Sequence, residues 1–221
     1  MDIVSGVLAI AHRTPATPER CAALGAAGAT VFEIDVQTVG EDLVVSHYLP
    51  VHPLLPRVRR DRTRFTVRRR GRLEPALAAT IEALPPGAEV LLDLKVDTGP
   101  AAHALVERIA ATGPDPARCY ASTKGWATLP ALAAAGYRTW RTIGNAAALA
   151  AALAMPELPD HAVTVRHTLL SGEVVAKLRE RGPRVMTWTV NDPTRAREVL
   201  SYGVDGVTTD SVAVLRLVAG R

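Results

Sequence analysis

The sequence predicts a (β/α)8 barrel on three observations. Short β-branched or apolar runs alternate with Ala/Leu-rich amphipathic stretches from end to end, the pairs number eight, and no glycine-rich dinucleotide fingerprint follows the first run. The alternation marks repeated βα units, and eight such units favour a closed barrel over an open doubly wound sheet. The missing fingerprint weakens the dinucleotide-binding alternative. A chain of 221 residues, 48% hydrophobic, buries one sizeable core and is short for two ordinary domains, so a single domain over 1–221 is expected.

The first strand is predicted over Val7 to His12, and Thr17-Pro18 opens a helix that runs to Ala27 and stops at Gly28. The second strand covers Val31 to Val36. Gly40-Glu41 then reads as a hairpin turn into a short apolar run, Leu43 to His47, and residues 48–72 form an irregular insertion at the carboxyl side of the barrel. A helix over Glu74 to Ala83 restores the rhythm. Next come a strand over Val90 to Val96, a helix over Pro100 to Thr112, a strand over Arg118 to Ser122 and a helix over Gly125 to Ala135. The second half repeats the unit: Tyr137 to Ile143 with Asn145 to Leu153, Ala162 to His167 with Ser171 to Arg181, Val185 to Val190 with Pro193 to Tyr202, and Gly206 to Thr209 with Ser211 to Val218. Asp192-Pro193 is a start signal, and Gly113, Gly136, Gly182 and Gly203 are stop signals.

The formal net charge of +4 favours an anionic partner, and with lysine only at 95, 124 and 177 nearly all positive charge is guanidinium. Cys21 and Cys119 match no metal or redox spacing and read as reduced core thiols. Met1 to Ile10 lacks a basic region, and the greasiest stretch, Ala146 to Met155, is too short to span a bilayer, so a cytoplasmic protein without a transmembrane segment is expected.

Inward positions of barrel strands should be apolar, so ionisable residues near strand ends need a reason. His12 and Arg13 end the first strand, Glu33 and Asp35 sit two apart in the second, His47 ends the hairpin, and Asp93 and Lys95 sit two apart in the third. Two-residue spacing puts both side chains of a pair on one face. Glu33, Asp35 and Asp93 then converge as three oxygen donors, a set suited to one hard divalent cation, Mg2+ or Ca2+. The same acids could instead pair with Arg13 and Lys95 as internal salt bridges. Two histidines at one mouth would supply a proton acceptor and a proton donor for cleaving a phosphodiester. His52, His103 and His161 read as structural, while Lys124, Arg141, Arg166 and His167, near later strand ends, are further candidates.

Ala11-His12-Arg13, Thr17-Pro18-Glu19, Glu33-Ile34-Asp35-Val36, Val44-Val45-Ser46-His47, Leu92-Asp93-Leu94-Lys95, Trp188-Thr189-Val190-Asn191 and the stretch Gly203 to Asp210 follow one another in an order that resembles the glycerophosphodiester phosphodiesterase family. The resemblance implies a metal-dependent hydrolase acting on a small-molecule phosphodiester. It implies acid–base roles for His12 and His47, metal ligation by Glu33, Asp35 and Asp93, phosphate binding by Arg13 and Lys95, and Trp188 lining the pocket. Three departures stand out: Tyr48 follows His47 where the family usually has Asp, Thr14 follows Arg13 in place of Gly, and Asp93 stands where many members carry Glu. The Asp-x-Lys version resembles sphingomyelinase D type phospholipases and implies, as alternatives, a lyase leaving a cyclic phosphate or a barrel that only binds a phosphorylated ligand.

The insertion carries nine arginines, at 57, 59, 60, 62, 64, 68, 69, 70 and 72, against one acid, Asp61. Over the mouth it would recruit an anionic headgroup; as a basic solvated loop it needs no function. Nucleic acid is not the expected partner, because Phe65 is the only aromatic interleaved in the run.

Overall fold

The structure is a computed structural model and describes residues 6–14, 17–39, 41–47, 57–61, 64–68, 75–95 and 100–220. Eight parallel strands close into a barrel: β1 (Leu8–Ala11), β2 (Val31–Val39), β6 (Glu89–Leu94), β7 (Cys119–Thr123), β8 (Arg138–Ile143), β9 (Ala162–Arg166), β10 (Arg184–Trp188) and β11 (Gly206–Thr209). They pair in that order, and β1 meets both β11 and β2, which seals the ring. The helices are α1 (Pro18–Ala26), α2 (Leu77–Glu82), α3 (Pro100–Thr112), α4 (Leu129–Ala134), α5 (Ala146–Ala154), α6 (Gly172–Arg179), α7 (Pro193–Ser201) and α8 (Val212–Val218), one after each barrel strand.

Two short additions follow β2. The strand β3 (Asp42–Val45) folds back antiparallel on β2, as the Leu43 to His47 run anticipated. Within the segment expected to be irregular, β4 (Arg57–Asp61) and β5 (Arg64–Arg68) pair as an antiparallel ribbon. Phe65 and Val67 alternate with Arg64, Thr66 and Arg68, but so short an alternation inside an Arg-rich stretch is a weak strand signal, which is why the ribbon is not legible in composition. Gly40, Val96 and the rest of 48–74 lie outside the described residues.

Local chemistry sets the helix starts. Side chains of Asn145, Ser171, Asp192 and Ser211 accept from backbone N–H groups of α5, α6, α7 and α8, as capping residues should. Gly28, after α1, takes a φ of 105°, and a Cβ there would stand 2.3 Å from that of Ala219, so glycine is required both for the turn and for the approach of α8. The predicted Glu74 to Ala83 helix is shorter than expected: it starts at Leu77, because Ala76 is bridged to Val44 of β3.

Period-two alternation sorts the strand residues. Ala9, Ala11, Phe32, Ile34, Val90, Leu92, Ala121, Val163, Val165, Val185 and Val207 pack outward in the core beneath the helices. Ile10, Val31, Leu91, Tyr120, Trp140, Ala162 and Met186 form a second cluster that plugs the lumen. Two residues further along, the inward positions turn polar on every strand of this cluster except β10, where Trp188 stands, and there the site begins. Cys21 and Cys119 are both buried and not joined in a disulfide, and burial pushes the Cys119 thiol up to about 11. The folded protein is therefore expected to leave both thiols unmodified by a thiol reagent at pH 8, with labelling only on unfolding; rapid labelling of native protein would contradict this packing.

Candidate active site

Glu33 and Asp35 project from β2 and Asp93 from β6, where the register sets Asp35 opposite Asp93 and Glu33 opposite Leu91. One oxygen of each carboxylate lies within 4.8 Å of the other two, and Glu33 and Asp35 are each only 3% exposed. Burial and then the charge of Asp35 push the Glu33 carboxyl well above the usual range, outweighing the pull of Lys95 and of the Arg13 N–H. Asp35 goes the other way: burial works against its charge, but a hydrogen bond from His47 and the Lys95 ammonium hold it well below the usual carboxylate range.

Lys95, one residue past β6, places Nζ 2.6 Å from Asp35 Oδ1 and also donates to Asp93. Burial works against its charge, and Asp93, Asp35 and Glu33 outweigh it and raise its pKa above the usual lysine range. Ser122 Oγ donates to the other Asp93 oxygen at 3.0 Å. Arg13 lies in the left-handed region at φ 51°, a conformation that costs a non-glycine residue roughly 1–2 kcal/mol and here turns its N–H onto Glu33 Oε2 at 2.6 Å. Its guanidinium Nε stands 3.8 Å from Asp35 Oδ2. The salt-bridge arrangement that the sequence left open is thus present, but incomplete: three carboxylates face two cations, leaving one negative charge, and the strain falls on Glu33. A divalent cation would reverse that balance to one positive charge, which suits a phosphodiester anion. The donor set, all hard oxygen, fits Mg2+ or Ca2+.

The two histidines are held by different partners. His47 Nδ1 is 2.8 Å from Asp35 Oδ2, and its Nε2 accepts from Arg13 Nη2 at 2.7 Å. Because a guanidinium only donates, the His47 proton sits on Nδ1 and the ring is neutral. Burial lowers its pKa in spite of Asp35, with Lys95 and Arg13 adding to the same direction. Asp35 thereby orients the ring that has Tyr48 beside it in sequence. His12 Nδ1 is 2.8 Å from Asp210 Oδ1, which leaves Nε2 outside that contact on a residue that lines the cavity.

Asp210 is a residue the sequence did not single out for chemistry. It follows β11, which pairs with β1 so that the His12 N–H donates to Thr209 O at 2.9 Å. Asn191 Nδ2 donates to its second oxygen at 2.9 Å, while Asn191 Oδ1 accepts from the Asp210 N–H at 2.8 Å and from Thr209 Oγ1 at 3.0 Å. Burial opposes its charge, yet the bond from His12 leads a set of contacts that keeps the carboxyl below the usual range. Asp210 precedes the capping Ser211 and reads in sequence as part of a helix start; the barrel closure that brings it to His12 is the one signal that marks it.

The cavity has a volume of about 120 Å³ beneath an open mouth, and His12, Arg13, Glu33, His47, Asp93 and Lys95 line one side of it. Trp188 and Lys124 line it as well. Arg166 lies over the Trp188 ring at 5.3 Å. Arg141 is directed elsewhere, its Nε 2.6 Å from buried Asp160, and His167 meets Arg195. His161 packs beside Tyr120, His103 lies on α3, and His52 is outside the described residues.

A barrel with acids and histidines gathered at one half of its carboxyl mouth, and cations beside them to receive an anion, has the make-up of a phosphoric diester hydrolase. Comparison agrees with that class. The family model for glycerophosphoryl diester phosphodiesterases matches residues 91–214, more than half of the chain, and the chain belongs to that family. Among solved structures it is similar to a candidate glycerophosphoryl diester phosphodiesterase from Silicibacter pomeroyi DSS-3 (TM-score 0.71, 19% identity, 98% of this chain and 94% of the other). A phosphodiesterase from Oleispira antarctica, in complex with the product sn-glycerol-3-phosphate, gives TM-score 0.67 at 18% identity over 96% of each chain. A glycerophosphodiester phosphodiesterase from Thermotoga maritima gives 0.64 at 20% identity over 97% of this chain and 98% of the other. At these identities the likeness shows the shared fold. No curated protein matches the chain. No helix among the described residues is long and apolar enough to cross a membrane.

Proposed function

We propose that this protein is a metal-dependent, cytoplasmic glycerophosphodiester phosphodiesterase, a single domain over residues 1–221 that cleaves a glycerophosphodiester-like substrate to a phosphomonoester and an alcohol. The observation that carries the reading is the cluster of three carboxylate oxygens within 4.8 Å, two of the acids buried, with Glu33 forced toward its protonated form. Glu33, Asp35 and Asp93 would hold one Mg2+ or Ca2+. Such a cation, when bound, neutralises a non-bridging phosphate oxygen as a Lewis acid.

The protein's own groups do the rest. Lys95 and Arg13 stabilise negative charge that grows on the phosphate. His12 and His47 divide the proton transfers, one taking a proton from the nucleophile and the other giving one to the leaving alkoxide. Asp210 and Asp35 are positioning residues that fix the two rings. Trp188 forms part of the substrate wall, and the Arg-rich insertion offers contact to an anionic headgroup. The product bound by the Oleispira antarctica enzyme supports a glycerol phosphate as one half of the diester. A second reading, in which a neighbouring substrate hydroxyl attacks and a cyclic phosphate leaves, draws on Lys95 bridging Asp93 and Asp35.

Phosphorus NMR of a glycerophosphodiester incubated with chelated protein, then with Mg2+ or Ca2+ restored, tests both readings. A monoester signal that appears only with the cation is the expected result. A cyclic phosphate signal selects the second reading, and turnover undiminished by chelation rejects the metal-dependent scheme.

A further inference from the structure

The half of the cavity formed by β7 to β10 is built unlike the half formed by β2 and β6. Around the ring β9 stands four strands from β2, and the wall centred on it is lined by Lys124, Thr142, Thr164 and Trp188. The acids that line the cavity, Glu33 and Asp93, both belong to the other half. We propose that this wall is a subsite for the second alcohol of the diester, and that the alcohol it selects carries an anionic group, a carboxylate or a phosphate. The proposal rests on the reading of the β2–β6 side as the place where the phosphodiester is cleaved.

Two cations flank the Trp188 indole without an acid between them. Lys124 is exposed and makes no ion pair with any described residue, and its stem and the indole both approach Gly144: a Cβ there would stand 3.6 Å from Lys124 Cε and 3.8 Å from the Trp188 ring. Arg166, half-buried, also has no acidic partner among the described residues and stacks over the indole at 5.3 Å. Other arginines nearby are committed: Arg141 to Asp160, and Arg195 to Glu198 and to the carbonyl of His167. Cations left unpaired beside a cavity mark a site for a negative group.

The third observation points the same way. Thr142 is 6% exposed, its hydroxyl makes no hydrogen bond with any described residue, and it lines the cavity on β8. A hydroxyl buried without a partner is costly in a folded protein unless a ligand completes it. The Trp188 N–H is already donated to Thr164 O at 3.2 Å, so the indole is fixed as a flat wall. An aromatic wall would ordinarily welcome a quaternary ammonium, but here a guanidinium already lies over one face of the ring and the Lys124 ammonium stands near it, so a further cation is repelled. The wall therefore disfavours a choline-like alcohol and favours a hydroxylated, negatively charged one.

Four diesters of glycerol 3-phosphate that differ only in the second alcohol test this: glycerol, glyceric acid, glycerol 3-phosphate and choline. With the divalent cation present, kcat/KM is expected to be about tenfold higher for an anionic alcohol than for glycerol, the gain of roughly one charged hydrogen bond, and lowest for choline. Glyceric acid and glycerol 3-phosphate tell carboxylate from phosphate. Lys124→Gln and Arg166→Gln, both outside the proposed acid–base machinery, should erase the preference through KM while kcat on the glycerol diester stays within about twofold. Dissociation constants of the same four compounds, measured by calorimetry, should follow the same order. If none is turned over, the hydrolytic reading fails and the calorimetric order alone decides the subsite. Equal affinity for all four in the wild type, or a preference that survives both substitutions, overturns the proposal.

Discussion

His12→Ala is expected to lower turnover of a glycerophosphodiester by on the order of 10²–10⁴ while unfolding stays close to that of the wild type. The ring is held through Nδ1 by Asp210, in a bond between residues far apart in sequence, and His12 lines the cavity. Removing it takes away one of the two proposed proton-transfer groups and leaves Asp210 its bond from Asn191. His47→Ala should cost a similar factor in rate, with more disturbance to the site, because His47 bonds both Asp35 and Arg13. Asp210→Asn separates orientation from structure: it should lower kcat and displace the pH profile with little change in stability. Steady-state kinetics with thermal unfolding of each variant supplies the check, and full activity in either alanine variant would remove that histidine from the mechanism.

Lys95→Met is expected to destabilise the cation-free protein by about 3–5 kcal/mol, the range for breaking a buried ion pair on one side. Its ammonium lies between Asp35 and Asp93 with the side chain 20% exposed, and Asp35 is almost wholly buried. Methionine would leave those carboxylates with Glu33 and little to offset them beyond Arg13. A divalent cation at the same oxygens should restore part of the loss, so chemical denaturation with and without Mg2+ should show a larger cation effect in Lys95→Met than in the wild type. Equal stability of variant and wild type without cation would mean that the ammonium does not offset the acidic cluster.

The barrel was legible because each strand is a short β-branched run between amphipathic stretches, so that Val31 to Val36 or Val185 to Val190 can be placed without tertiary knowledge. The site was legible where strand periodicity decides: Glu33 with Asp35, and Asp93 with Lys95, share a face by spacing alone. What spacing cannot give is the partner across the ring. Asp210 reaches His12 only through the β1–β11 pairing that closes the barrel, and Asp35 turns out to hold His47, a role that the sequence left vacant at Tyr48. Arg141 and Arg166 looked alike as cations near strand ends. Their fates differ because residues alternate between the two faces of a strand and Asp160 waits on the outer one for Arg141.

The hairpin after β2 has one more consequence. Ser46 N bonds Asp35 O at 3.0 Å and Val45 N bonds Pro75 O at 2.9 Å, so the chain departs and returns at two neighbouring anchor points on the rim. Whatever stretch is strung between those anchors can be lengthened, shortened or exchanged for another while His47 keeps its seat. Diversification of this barrel thus has a natural graft point, uncoupled from the chemistry a few residues away.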